Sequence, residues 1–198
     1  MNKPYRTVSK SAADEVVINK SRFIGYAAPC ETEDATLAFL NDIRLKHRDA
    51  SHCCYAYVIG QNAGIMRYND DGEPSGTAGL PIMEVLKAQQ VVNLCVVVVR
   101  YFGGTLLGTS GLITAYKEAA NDAFEQAEII EKTIDVRINI HFEYPLMNEA
   151  MRIVKETDAQ ILQQGYETDC SMTLNIRLQE ADILRGKLEK VEGISIEE

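Results

Sequence analysis

The chain has 198 residues, of which 46% are hydrophobic and 25% charged, so it is long enough to bury the core of one domain or of two small ones. Its formal net charge of −9 argues against a protein that coats nucleic acid indiscriminately. The sequence has no apolar run near the roughly eighteen residues that a transmembrane helix needs.

Cysteine usage and the N-terminus both predict a cytosolic protein. The five cysteines are odd in number and have no C-x-x-C spacing, which is typical of reduced thiols and not of a disulfide framework or a zinc site. Residues 1–6 lack the apolar core of a signal peptide.

The charge is unevenly distributed. Residues 1–132 contain 13 Lys/Arg and 16 Asp/Glu, a net charge of −3, whereas residues 133–198 contain 7 and 13, a net charge of −6. We therefore expect any anion-binding face in the first part of the chain.

Residues 1–132 alternate strand and helix signals around one predicted sheet. Strands are predicted at 15–18, 22–27, 53–59, 65–68 and 95–99, and helices at 32–47, 81–90 and from about 109 to 128. The first helix ends on Arg44, Lys46, His47 and Arg48, a cluster typical of a solvated helix terminus, with an RNA or phosphate contact as the alternative.

The pattern restarts after residue 130. Strands are predicted at 133–143, 159–166, 170–178 and 193–196, with helices at 144–156 and 182–191. The order β-α-β-β-α-β is the ferredoxin-like motif, so we place a domain boundary between residues 132 and 133.

The stretch from Cys95 to Lys117 is the most informative part of the sequence. A β-branched run predicts a strand buried on both faces, and four glycines then lead to a helix that Thr109 or Ser110 can cap. This layout fits either an anion site at the helix N-terminus or a tight crossover. Neither G-x-x-x-x-G-K-[S/T] nor G-x-G-x-x-G is present, so the motifs of P-loop NTPases and Rossmann dehydrogenases are excluded.

Another glycine-containing loop, at residues 69–81, begins with acidic residues. The carboxylates of Asp70, Asp71 and Glu73 are candidates for binding Mg²⁺, while ordinary turn hydrogen bonds are the alternative. His52 is the candidate acid or base, although strand-end histidines are more often structural.

The first part of the chain contains three long motifs in the order that the YigZ/IMPACT family has them, and together they resemble that family. They are His52–Tyr57, residues 70–79 with Pro81, and residues 97–104 with 107–112; the segment 20–24 is similar to the family's N-terminal signature. The resemblance covers residues 1–128 closely, and the tail is similar to the C-terminal domain of bacterial members, itself resembling the last domain of elongation factor G.

This resemblance implies an α+β protein. Its N-terminal domain, residues 1–132, would be folded like the second domain of small-subunit ribosomal protein five (left-handed βαβ type), and its C-terminal domain, residues 133–198, would be ferredoxin-like. It also implies regulation of translation, since eukaryotic members interfere with activation of a stress kinase on ribosomes.

The favoured hypothesis is a cytoplasmic, non-enzymatic protein that binds RNA or the ribosome, has no membrane association and needs no cofactor. Its anion- or nucleic-acid-binding residues would be Arg22, Arg67, Ser75, Gly76, Thr77, Arg100, Gly103, Gly104, Thr109 and Ser110. The alternatives are a Mg²⁺-dependent enzyme acting on a small phosphorylated substrate or nucleotide, and an adaptor whose acidic C-terminal domain binds a protein partner.

Overall fold

The computed structural model describes residues 4–166 and 168–197. The chain divides into two compact units, Tyr5–Lys132 and a second that contains Thr133–Glu198. Both are mixed α/β units with antiparallel sheets, which confirms the predicted mixed class, while the ribosomal-protein-like and ferredoxin-like assignments stay predictions. Within the described ranges no helix has the length and apolarity to cross a membrane.

The first unit contains ten elements. They are β1 (Tyr5–Val8), β2 (Ala12–Ile18), β3 (Ser21–Pro29), α1 (Glu33–Lys46), β4 (His52–Ile59), β5 (Ile65–Asn69), α2 (Gly79–Gln89), β6 (Leu94–Tyr101), α3 (Gly108–Ala127) and β7 (Ile129–Lys132). The main sheet has the strand order β2-β3-β6-β4-β5, and β1 pairs with β7 in a separate two-stranded sheet. Neither β1 nor β7 was predicted from the sequence.

Strand β6 lies at the centre of the main sheet. Its first seven residues are buried, which confirms the prediction of a strand covered on both faces. Helix α1 also forms where predicted, because the Thr32 side chain accepts a hydrogen bond from the Ala35 N–H at 3.1 Å and acidic residues occupy the first turn.

Strand alternation sends the side chains of β6 to two different layers. Val96 and Val98 belong to a core with α2 and α3, whereas Val97 and Val99 belong to a core with α1. The main sheet therefore has an α2/α3 face and an α1 face, and this separation decides which candidate site residues can act together.

The second unit follows the predicted order of elements. They are β8 (Asp135–Phe142), a 3₁₀ turn (Tyr144–Leu146), α4 (Met147–Glu156), β9 (Gln160–Tyr166), β10 (Cys170–Arg177), α5 (Leu178–Leu188) and β11 (Ile194–Glu197). The sheet order is β11-β8-β10-β9, over a core that includes Ile140, Ile153 and Leu184. Helix α5 begins four residues before its predicted start and directly follows β10.

All five cysteines are free and buried, so we expect them to react slowly in the native protein. Burial raises the pKa of the Cys30, Cys53, Cys54 and Cys95 thiols, and a raised pKa leaves less of the reactive thiolate. In mildly alkaline buffer, Ellman's reagent should react about 100-fold more slowly with the native protein than with the protein in guanidinium chloride. Rapid reaction of a native thiol would contradict this burial.

Candidate functional site

The acidic turn after β5 is bonded to its own backbone. The carboxylate of Asp70 accepts hydrogen bonds from the N–H groups of Gly76 (2.9 Å), Ala78 (3.1 Å) and Gly79 (2.8 Å). Since α2 begins at Gly79, a carboxylate of the protein itself occupies the positive end of this helix. The Gly76 N–H, predicted to receive a phosphate oxygen, is therefore already bonded.

We expect Asp70→Ala to lower the free energy of unfolding of the first unit by about 2 kcal/mol, because three charge-assisted bonds at a helix N-terminus are lost. Asp70→Asn keeps an acceptor oxygen and should lose less. Hydrogen exchange of the β6 amides measures the unfolding of this unit. Unchanged protection in Asp70→Ala would contradict the capping role.

His52 and Asp71 are bonded to each other at the start of β4. Nδ1 of His52 lies 2.8 Å from the Asp71 carbonyl oxygen, which can only accept, so Nδ1 carries a proton and donates it. The Asp71 side chain accepts a 2.7 Å bond from the Cys53 N–H. Nε2 of His52 lies 3.7 Å from the Glu73 carboxylate. The acid or base role of His52 stays a prediction.

Glu73 is buried in a polar network at the end of the sheet. Its Oε1 accepts hydrogen bonds from Arg100 Nη1 at 2.7 Å and from the Tyr116 hydroxyl at 2.8 Å. Burial, reinforced by Cys54 and Glu73, raises the pKa of Tyr116 far above its ordinary value, so this hydroxyl stays protonated and donates. The Cys54 Sγ lies 3.4 Å from the same hydroxyl.

The three predicted metal ligands therefore have separate partners. Asp70 binds the start of α2, Asp71 binds the Cys53 N–H, and Glu73 binds Arg100 and Tyr116. In the described part of the chain, no three His, Cys, Asp or Glu side chains are grouped to hold a metal ion. These internal hydrogen bonds occupy the carboxylates that the sequence assigned to Mg²⁺, and the Mg²⁺ site stays a prediction.

The glycines after β6 have different structural roles, and only Gly103 is closely packed against another strand end. The N–H of Gly103 donates to Ser21 Oγ at 3.2 Å, and a Cβ at Gly103 would lie 2.0 Å from the carbonyl oxygen of Lys20. Gly104 has a φ of +83°, in the left-handed region that glycine adopts without strain. Of the two alternatives for this loop, the tight crossover explains why residue 103 is a glycine. The Gly103 N–H is already bonded to Ser21 and is not available to a phosphate.

Helix α3 begins without a side-chain cap. Gly108 is its first residue and Leu107 occupies the N-cap, with no capping hydrogen bond. Thr109 and Ser110 were predicted as caps but lie within the first turn, because the helix begins earlier than the sequence indicated. The first turn contains no acidic residue.

A cleft of about 400 Å³ lies between the acidic turn and the loop after β6. Its lining residues are His52, Glu73, Pro74, Arg100, Phe102, Leu106, Leu107, Gly108, Thr109 and Leu112. Four predicted site residues, His52, Glu73, Arg100 and Thr109, thus share one cleft.

The other predicted loop residues do not line this cleft, which leaves Ser75, Gly76, Thr77, Gly103, Gly104 and Ser110 outside its lining. Ser75 is exposed, and the buried Thr77 donates its hydroxyl to the Pro74 carbonyl at 2.7 Å. We therefore expect no shared loop cradle from these residues.

Arg22 and Arg67 do not join Arg100. Arg22 on β3 is paired with Tyr101 on β6 and lies over its ring. Arg67 on β5 is paired with Tyr57 on β4. These positions are on the α1 face, whereas Arg100 lines the cleft on the α2/α3 face. The single site predicted from the sequence is thus two surfaces.

The second surface consists of Tyr26, Tyr55, Tyr101, Arg22, Arg44, Lys46 and His47, which we call the basic–tyrosine face. The cationic groups lie over tyrosine rings: Arg22 over Tyr101 at 5.3 Å, Lys46 over Tyr26 at 5.1 Å and Arg44 over Tyr55 at 5.9 Å. The His47 ring bonds the Tyr26 hydroxyl at 2.7 Å and the Tyr101 hydroxyl at 2.8 Å. The basic end of α1 is therefore joined to the sheet.

Sequence reasoning did not identify the tyrosines of this face or the apolar residues of the cleft. Period-two alternation along β3 and β6 indicates that Tyr26 and Tyr101 leave one side of their strands, but only the register between strands places them together. Phe102 and Leu106 carried no signal beyond being apolar residues in a loop, where exposed apolar groups often mark binding.

The comparisons with known proteins agree on one family. The family model for the Impact N-terminal domain matches residues 19–124. The IMPACT family member YvyE of Bacillus subtilis is 35% identical over 178 residues, covering 90% of this chain and 82% of its own length. The family member YigZ of Escherichia coli is 37% identical over 152 residues, covering 76% and 74%.

One solved structure, described as the crystal structure of a hypothetical protein, is similar over nearly the whole chain. It has 29% sequence identity and a TM-score of 0.67, and the alignment covers 99% of this chain and 97% of that one. The similarity thus includes both units.

Proposed function

This chain belongs to the IMPACT family, and from that premise we propose that it regulates translation by binding RNA through the basic–tyrosine face. The family resemblance supports the link to translation. The proposal includes a cytoplasmic location, a ferredoxin-like second unit and an N-terminal unit folded like the second domain of small-subunit ribosomal protein five. Ribosomal RNA is the RNA partner that this combination favours.

The observation that carries the proposal is the set of three cation–tyrosine pairs on one face of the sheet. Proteins recognise single-stranded RNA by stacking bases on aromatic rings and guanidinium planes while cations contact the backbone. Arg22, Lys46 and Arg44 supply the cations, and the partly exposed rings of Tyr55 and Tyr101 supply stacking surfaces.

The acidic neighbours of this face leave its cations available to RNA. Glu15 pairs with Arg22 at 2.9 Å, but half of the Arg22 side chain is exposed, and exposed pairs are weak and screened by salt. Asp71 lies 3.9 Å from Arg44, and its carboxylate is already bonded to a backbone N–H. A phosphate can therefore replace the carboxylate at Arg22 at little cost.

We expect single-stranded oligouridylate and small ribosomal subunits to bind with an affinity that falls as salt is added. Arg22→Glu with Lys46→Glu should weaken binding by about tenfold or more and reduce the dependence on salt, because two phosphate contacts are lost. Fluorescence anisotropy at several salt concentrations measures both quantities.

The matched control is Lys87→Glu with Lys117→Glu, which changes the net charge equally but alters α2 and α3 on the opposite side of the sheet. It should retain binding within about threefold, because the changed charges lie away from the proposed contact. Equal weakening in both double variants would contradict the assignment to this face. Absence of salt-sensitive RNA binding would contradict the proposed function.

A further inference from the structure

The first turn of α3 adjoins the cleft and has no side-chain cap. This helix is 20 residues long, and Gly108 and Thr109 of its first turn line the cleft. Its N-cap residue, Leu107, makes no side-chain bond. At α2, by contrast, the carboxylate of Asp70 bonds the Gly79 N–H. The positive end of α3 and its first N–H groups are thus left for an external acceptor.

Arg100 gives a second, independent indication of a ligand. Its side chain is only 6% exposed and lines the cleft, with Nη1 bonded to Glu73 and Nη2 3.3 Å from Ser21 Oγ. Its Nε has no partner, the one such atom among the buried side-chain nitrogens and oxygens of the described residues. Buried donors in native proteins are almost always bonded, so an acceptor from outside the chain, a water molecule or a ligand, would satisfy this Nε.

The remaining walls of the cleft are apolar. Phe102 is 47% exposed and Leu106 is 86% exposed, and Pro74 and Leu112 also line the cleft. Its volume of about 400 Å³ and this lining are those of a small-molecule site, in which apolar walls surround a few polar groups. The space is suited to a group of about one aromatic ring with a charged end.

The charge of the cleft favours an anionic end. Glu73 also lines it, but Arg100 compensates this carboxylate at 2.7 Å. The partial positive charge of the α3 N-terminus is then left without a counter-charge, and successive N–H groups there match the several oxygens of a phosphate.

We propose that this cleft binds a small organic phosphate, with the phosphate at the first turn of α3 and the organic body against Phe102 and Leu106. This site is separate from the basic–tyrosine face, since the two lie on opposite faces of the sheet. The protein thus combines an RNA-binding surface with a small-ligand site.

The test uses phenyl phosphate as the probe, with inorganic phosphate and phenol as its two halves. In amide spectra of the full chain, phenyl phosphate should shift the signals of Thr109, Ser110 and Gly111 in a saturable manner, and it should bind about tenfold or more tightly than either half. Single-stranded oligouridylate should not displace it.

Thr109→Asp separates a lost site from a lost fold. A carboxylate in the first turn favours the helix, so the variant should keep its melting temperature, yet its charge should weaken phenyl phosphate binding by about tenfold or more. Thr114→Asp, an exposed position further along α3, is the matched control and should bind normally. No saturable shift, unchanged binding by Thr109→Asp, or displacement by the oligonucleotide would each overturn the proposal.

Discussion

Replacing Glu73 with alanine is expected to lower the free energy of unfolding of the first unit by about 3–5 kcal/mol, because the buried Arg100 guanidinium loses its counter-charge. The Tyr116 hydroxyl loses its acceptor as well. Hydrogen exchange of the amides of Val96 and Val98 reports this unit alone, which avoids treating a two-unit chain as one transition.

A compensated variant distinguishes charge from packing at this position. Glu73→Leu combined with Arg100→Met and Tyr116→Phe removes the buried ion pair and the hydroxyl that is bonded to it. This triple variant should be more stable than Glu73→Ala, because no charge stays buried without a partner. If the triple variant loses more stability than Glu73→Ala, the network stabilises the fold by more than mutual compensation.

Gly25→Ala is expected to destabilise the first unit by about 3 kcal/mol, because α3 packs directly on the backbone of β3. A Cβ at this position would lie 2.2 Å from the carbonyl oxygen of Ala119 and 3.0 Å from the Cβ of Ala123. Neither the sheet nor the helix can move without disturbing the core that they share.

Gly64→Ala is the control for this substitution, since nothing lies within 4 Å of the added Cβ. Its effect should stay within about 0.5 kcal/mol, as for surface substitutions in general. Hydrogen exchange of the Val96 and Val98 amides compares the unfolding of the first unit in the two variants. Equal protection would show that the contact between β3 and α3 is looser than the distances indicate.

The elements predicted correctly are those whose signals are local. Strand β6 is a β-branched run and α1 has a Thr32 cap with charges matched to the helix dipole, so a few neighbouring residues determine each. Strands β1 and β7 were missed because each has only four residues and is stabilised by the other, 120 or more positions away.

The site was only partly predictable for a related reason. Sequence reasoning identified both loops of the cleft, yet a carboxylate in a turn can bind metal, backbone or a distant cation with equal local plausibility. The partner of Asp70 is the backbone at the start of α2, and the partner of Glu73 is Arg100, 27 positions further on. Likewise, Arg22 and Arg100 lie near the ends of neighbouring strands, but the register of β3 against β6 places their side chains on opposite faces of the sheet.

Nuclear magnetic resonance can map bound RNA on the surface of the isotope-labelled protein. Titration with oligouridylate should shift the amide signals of Arg22, Lys46, His47 and Tyr101, and charge reversal at Arg22 and Lys46 should remove these shifts. Shifts confined to residues 133–197, or none at saturating RNA, would contradict an RNA contact on the basic–tyrosine face.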